Sequence, residues 1–456
     1  MSLKRSPRMR TALILAVAAS VVALPAAALS AGSHADNTSA AKKAIQGGKA
    51  RSVILLIGDG MGDSEITIAR NYSVGAAGRL NMDRLPLTGA YTTYAVQKDN
   101  PALPDYVTDS AASGTGWATG RKTYNGAISV LPNEKPVPTI LEKAKAAGYR
   151  TGDVSTAELQ DATPAVLASH VVSRDCKGPQ SMTSCPTNAK QNGGAGSIAE
   201  QMIATAPDVL LGGGKQYFDQ IVQAGRFQGL SVLQQAQVSG YRLVTDAAGL
   251  AAAKPGTRLL GVFAANNMDL EWVGPKPTPS GTPSATCTPN LARTASQPHL
   301  ADMAGTAIQL LDRQTRGAKK GFFLQIEGAS IDKQDHAANP CGQIGENVAF
   351  DAAVKKALDY QRVNPDTLVV VTADHGHTSQ IVETGSTTPG GTATLRTKDG
   401  ADMTISYATA PLSGSQQHTG TQVRIAAGGP QAANVLGVTD QTELFYTMGR
   451  ALSLRR

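Results

Sequence analysis

Aromatic side chains are scarce, 4% of 456 residues with seven Phe and two Trp, so the core has to rely on Val, Leu, Ile and Ala. Charged residues are also sparse at 17%, against 41% apolar, the balance of an ordinary globular protein long enough to bury a large core. A dense Lys/Arg block interleaved with aromatics is missing. The net charge of +7 includes Lys4, Arg5, Arg8 and Arg10 at the start, so a nucleic-acid partner is not expected.

Long hydrophobic runs are confined to Thr11–Leu29. That run contains Pro25 and many alanines, and no second span follows, so no membrane anchor is expected in the mature chain. Four basic residues precede it and small residues offer cleavage after Ala31 or Ala35. Residues 1–31 therefore read as a signal peptide directing export, periplasmic or secreted, without the Arg-Arg pair of a twin-arginine leader. Residues 32–50, polar and small, read as a flexible N-terminal arm.

Cysteine is limited to four residues with no Cys-x-x-Cys spacing, which leaves a Cys-based zinc site without support. In an exported chain they read as disulfides, and three pairings are possible. Cys176 and Cys185 lie close across a polar loop and are paired on that ground, leaving Cys287 with Cys341. On the chain-entropy model the short loop stabilises by roughly 2.5–3 kcal/mol and the long one by about 4. There is also no Gly-x-Ser-x-Gly elbow, which speaks against an acyl-hydrolase triad, and Gly58-Asp59-Gly60-Met61-Gly62-Asp63 is neither a Walker loop nor a dinucleotide fingerprint.

What is present is a set of apolar runs that end in ligand-type side chains. Residues 53–57 lead to Asp59, 322–326 to Glu327, and 367–371 to Asp374 and His375. Continuous apolar runs without alternation suit parallel strands covered on both faces. Further strands are expected at 208–211 and 258–263, and helices at 138–147, 196–205 and 347–361. The alternation predicts an α/β fold with a large, mostly parallel central sheet flanked by helices, and ligands in such sheets sit beyond the carboxyl ends of the strands. No internal repeats occur, so residues 51–456 are expected to be one domain. It carries an irregular excursion at about 271–298 and a surface insertion at about 381–415, rich in Thr, Gly and Ser.

Asp332 and His336, four apart after Glu327, share one face of a helix, and an oxygen with an imidazole suits zinc. His375, His377 and His418 sit in polar or glycine-flanked contexts that could add ligands. His170 and His299 have no nearby ligand partners and read as structural, and His34 falls near the leader's cleavage point. Ser110 opens a helical stretch after Thr108-Asp109, where a hydroxyl and free backbone N–H groups would meet an anion; Asp109 or Ser110 acting as a plain helix cap is the alternative. A metal beside Ser110 would lower its pKa without a histidine base.

Taken in order, Gly58–Asp63, Thr108-Asp109-Ser110-Ala111-Ala112, 159–165, Ser173-Arg174-Asp175-Cys176, 327–336, Thr372-Ala373-Asp374-His375 and His418-Thr419-Gly420 resemble the bacterial alkaline phosphatases of enterobacterial type. The resemblance spans nearly the whole mature chain. It implies two zinc ions and one magnesium per subunit: Asp332, His336 and His418 for the first zinc; Asp59, Asp374 and His375, with Ser110, for the second; Asp59, Thr163 and Glu327, with Asp161 through water, for magnesium. It further implies Ser110 as nucleophile, Arg174 clamping phosphate oxygens, Asp109 orienting Arg174, Lys333 reaching phosphate through water, and His377 behind the ligands. The activity implied is hydrolysis of phosphate monoesters at alkaline pH through a phosphoserine, with inorganic phosphate as product and a homodimer as assembly. The run Ser113-Gly114-Thr115-Gly116 carries more glycine than that pattern leads one to expect, which predicts a looser helix. A sulfatase lacks its Cys/Ser-x-Pro-x-Arg context here; a phosphodiesterase, or an exported phosphate- or metal-binding protein, are the other readings.

Overall fold

The computed structural model describes residues 1–2 and 36–455. The signal peptide expected at 1–31, its cleavage points and His34 lie outside the described residues, apart from Met1 and Ser2. Ser39–Arg456 forms a compact unit. Within the arm, Thr38–Ala44 is helical.

A ten-stranded sheet runs through the compact unit. Its spatial order is Gly437–Asp440, Leu87–Thr92, Val423–Gly428, Thr367–Ala373, Ser52–Gly58, Phe322–Gly328, Arg150–Glu158, Val209–Gly213, Arg258–Val262 and Tyr241–Val244. Only Val423–Gly428 runs against the others. The three central strands 52–58, 322–328 and 367–373 are buried along their whole length, as their unbroken apolar runs require. Register then brings their ends level: Ile57 pairs with Glu327 on one side and Thr372 on the other, so Asp59, Glu327 and Asp374 emerge at one edge.

The five strands expected from sequence are present, with bounds shifted by a residue or two. The helix expected at 347–361 begins earlier, at Pro340, because Asn339 caps it and proline is suited to a first helical turn. The strand Arg150–Glu158 was not foreseen; its Thr, Asp, Ser and Glu residues hide a strand buried from Thr151 onward behind a polar composition. The insertion at 381–415 is more ordered than its composition suggested. Gln380–Val382, Asp402–Ser406 and Thr392–Arg396 form an antiparallel sheet, and alternating Leu395, Met403 and Ile405 join Tyr407, Ile68 and Ile344 in a second buried cluster. The excursion at 271–298 is stitched to it by bridges from Thr278 to Thr392 and Ala285 to Leu395, and anchored by Cys287–Cys341. Both expected disulfides, Cys176–Cys185 and Cys287–Cys341, are formed.

Candidate active site

Ser110 is the first residue of the helix Ser110–Thr119 and is 2% exposed. Asp109 caps that helix: its Oδ1 accepts the Ala112 N–H at 2.9 Å, while Oδ2 accepts from Gly126 N–H and Arg174 Nη1, each at 3.0 Å. The plain capping role and the Arg-orienting role therefore fall to the two oxygens of one carboxylate. The glycine-rich turn of this helix is not loose. A side chain at Gly114 would collide with Val166 of the helix Ala162–Ala168, so the glycine permits two helices to touch. Ser113 Oγ and Gln441 Nε2 both donate to the Asp374 carbonyl, at 3.0 and 2.9 Å, locking the helix to the strand end.

Two groups of imidazole and carboxylate side chains flank Ser110: Asp332, His336, His377 and His418, and Asp59, Asp374 and His375. The two groups meet through the stacked rings of His375 and His418, centroids 3.6 Å apart. Glycine at position 60 (φ +66°) lets the chain turn tightly against Asp332 and His377.

Hydrogen bonds to the outer ring nitrogens set the tautomers. His336 Nδ1 donates to the Gln416 carbonyl and His418 Nδ1 to the Thr108 carbonyl, the latter at 3.0 Å. With Nδ1 as the donor, the neutral form of each ring turns an Nε2 lone pair inward, and the two Nε2 atoms lie 3.0 Å apart. Asp332 Oδ1 is 3.4 Å from the first and 3.1 Å from the second. His377 is the reverse. Its Nδ1 accepts the Thr378 N–H at 2.9 Å, so Nε2 carries the proton and faces Asp332 Oδ1 at 3.1 Å, behind the ligands rather than among them. His375 Nε2 points at Ser110 Oγ (3.3 Å), Asp374 Oδ2 (3.2 Å) and Asp59 Oδ1 (3.6 Å). Burial, reinforced by His418, pushes the His375 pKa well down, so this ring stays neutral.

The carboxylates make the case for metal ions from the other side. Asp59 is pushed well up by burial and by Asp332, Asp374 and Glu327; burial, then Asp161 and Asp374, raise Glu327 to about 8 against the Ser155 hydroxyl and Lys333. Asp59 Oδ1, Asp374 Oδ2 and Thr163 Oγ1 are buried without a hydrogen-bond partner. Buried anions this crowded need cations, and facing lone pairs with orphaned oxygens are the donor set that hard and borderline metal ions take. The residues fit metal ions.

Asp332 and Asp161 go the other way. Burial would raise the pKa of Asp332, but the histidines around it hold the group well below the usual carboxylate range. Burial would likewise raise the pKa of Asp161, but Lys333, Arg174 and Lys177 outweigh it and hold that group equally well below the range. Lys333 Nζ is 2.7 Å from Oδ2 and Arg174 Nη2 3.1 Å from Oδ1. His170 and His299 lie elsewhere, against Glu142 and Glu271. Sequence reasoning missed Lys177, Ser155, which donates to Glu327, and Gln441; only Lys177, next to Cys176, gave any signal.

A doubly covered, mostly parallel sheet with a helix-start serine between two Asp/His groups at its carboxyl edge is the arrangement of an α/β protein whose candidate reactive group is a serine set beside metal-ligand side chains. Comparison narrows the class. A family profile described as alkaline phosphatase matches residues 50–414 and 408–454. The chain is 56% identical over 428 residues to an alkaline phosphatase of Escherichia coli (strain K12), covering 92% of this chain and 90% of that one. It is 55% identical over 428 residues to alkaline phosphatase H of Pseudomonas aeruginosa (strain UCBPP-PA14), covering 92% and 89%. The solved alkaline phosphatase of the Antarctic bacterium TAB5 shares the fold, with a TM-score of 0.67 at 23% identity, over 90% of this chain and 100% of that one. The chain belongs to the alkaline phosphatase family.

Proposed function

We propose that Ser110 is the nucleophile of this phosphomonoesterase, that Arg174 grips the non-bridging phosphate oxygens, and that the reaction passes through a phosphoserine. As a member of the family, the chain hydrolyses phosphate monoesters to an alcohol and inorganic phosphate. The observation that carries the residue assignment is the position of Ser110 Oγ, 3.3 Å from His375 Nε2 at the junction of the two Asp/His groups, with the Asp109-held Arg174 alongside.

Asp332, His336 and His418 would hold one zinc, and Asp59, Asp374 and His375 a second that also meets Ser110. Glu327, Thr163 and Asp59, with Asp161 through water, would hold magnesium. When bound, these ions supply Lewis acidity that lowers the Ser110 pKa and stabilises the departing alkoxide. The chain supplies the rest. Asp109 fixes the planar guanidinium of Arg174 so that two N–H groups can meet two phosphate oxygens, a fit that favours monoesters over diesters. The start of the Ser110 helix presents backbone N–H groups to the phosphoryl group, Lys333 adds positive charge, and Asp109 keeps the hydroxyl aimed by capping the same helix.

Export to the periplasm or outside the cell belongs to the proposal and is supported by the two disulfides, which form in oxidising compartments. Among the described residues no helix is long and apolar enough to cross a membrane. The assembly proposed is a homodimer, with residues 32–50 as its arm and residues 51–456 as the catalytic domain.

Hydrolysis of a chromogenic aryl phosphate at alkaline pH tests the proposal. Activity should vanish on chelation, return with zinc, and rise further with magnesium. A folded, zinc-loaded protein inert to monoesters would overturn it.

A further inference from the structure

Asp161 meets three cations, and only two of them have a role so far. Beside Lys333 and Arg174 stands Lys177, whose Nζ is 3.6 Å from Asp161 Oδ1, the same oxygen that Arg174 Nη2 approaches at 3.1 Å. Lys177 is not a loose surface cation. Its Nζ is 2.6 Å from Glu158 Oε2, and the other oxygen of Glu158 accepts from Gln216 Nε2 at 2.9 Å. The backbone is braced as well. The carbonyls of Cys176 and Lys177 accept the Ile198 and Ala199 N–H groups, two of the amides left free at the start of the helix Ile198–Thr205, and Cys176 is bonded to Cys185. Arg174 and Lys177 thus rise from one pinned segment and meet one carboxylate oxygen.

Two cations on one oxygen divide its attraction. Asp161 pulls the guanidinium toward itself, whereas Asp109 holds Nη1 from the other side at 3.0 Å. Charge placed by Lys177 weakens the pull of Asp161, and the low dielectric of this largely covered site makes the effect larger than in water. Glu158 works against this by drawing the ammonium away from Asp161.

We infer that Lys177 is a positioning residue, which by sharing Asp161 Oδ1 with Arg174 limits how firmly Asp161 retains the guanidinium and so leaves Arg174 available to phosphate. The inference rests on Arg174 as the phosphate clamp. It makes Glu158 and Lys177 a pair that tunes phosphate affinity from outside the set of groups that touch substrate.

The test uses metal-saturated enzyme with excess magnesium, aryl phosphate as substrate and inorganic phosphate as inhibitor. Lys177→Ala should raise KM and the phosphate Ki together by about five-fold, the size of one partly screened charge interaction, with a smaller change in kcat. Lys177→Arg should recover most of the loss. On an Arg174→Ala background, Lys177→Ala should add nothing, because no guanidinium remains to be placed. Glu158→Gln, which releases the ammonium toward Asp161, should lower the phosphate Ki, and this variant serves if Lys177→Ala does not fold. A phosphate Ki unmoved by either variant overturns the inference, as does a Lys177→Ala effect that persists in full without Arg174. Failure of the parent reading looks different: Arg174→Ala itself would then leave the phosphate Ki unchanged.

Discussion

His336 and His418 point their Nε2 atoms at each other across 3.0 Å, with both Nδ1 protons tied to backbone carbonyls. Two lone pairs held face to face repel unless a cation sits between them, and Asp332 supplies the third donor. His418→Ala should therefore cost about one zinc per chain, while the group around Asp59 keeps its own. Metal analysis of the dialysed protein by mass spectrometry reads this directly; retention of full zinc content would remove His418 from the ligand set.

Ser110→Ala should lower kcat by at least about 10³-fold and abolish the acid-stable phosphoserine that quenching should trap in the parent enzyme. The serine lies buried at a helix start capped by Asp109, so the substitution leaves the fold intact. Trapped phosphate at some other residue would move the nucleophile.

Arg174→Ala should reduce kcat/KM by about 10- to 100-fold, the worth of one or two charge-assisted hydrogen bonds, and raise the phosphate Ki. Lys is not an equal replacement, since its ammonium lacks the planar fork that Asp109 orients, so Arg174→Lys should recover only part of the loss. Full recovery would show that charge alone matters.

The ion pair between His170 and Glu142, 3.0 Å long, lies away from the metal-ligand candidates. Burial lowers the His170 pKa, but Glu142 more than restores it, so it ends above 6.5; burial raises that of Glu142, but His170 carries it below 4.5. A raised histidine stabilises the fold at low pH and loses that stabilisation as pH climbs through its folded value. A lowered glutamate stabilises at higher pH and loses it as pH falls through its folded value. The pair should contribute most between about 4.5 and 6.5. Glu142→Gln, which keeps the capping box with Thr139, should cost about 1 kcal/mol at pH 6 and much less at pH 9. Urea unfolding at the two pH values checks the sign.

Cys176→Ser should raise KM, by about three-fold if the loop braces Arg174, because small misplacements of a clamp weaken binding. Cys287→Ser should instead lower thermal stability, by up to about 4 kcal/mol on the chain-entropy model, since the closed loop spans 54 residues and lies by the insertion sheet. Unchanged kinetics in a folded Cys176→Ser protein would separate the loop from the site.

The apolar runs at 53–57, 322–326 and 367–371 were legible as central strands because strands buried on both faces have no polar side to show, and the ligand-type residues at their ends marked the sheet edge. The pair Asp332 and His336 was legible because helical spacing puts i and i+4 on one face. The strand Arg150–Glu158 and the insertion sheet were not, since their polar residues find partners that lie far away in sequence: Ser155 donates to Glu327, 172 residues on. By itself the sequence determined the strand core, the serine at a helix start and the inventory of ligand-type side chains, because these depend on local periodicity and residue chemistry. Only the tertiary structure decided which nitrogen of each histidine faces inward, which oxygen of Asp109 caps and which holds Arg174, and that Lys177 shares Asp161. Those choices depend on hydrogen bonds and charges at a few ångströms between segments that the chain order keeps apart.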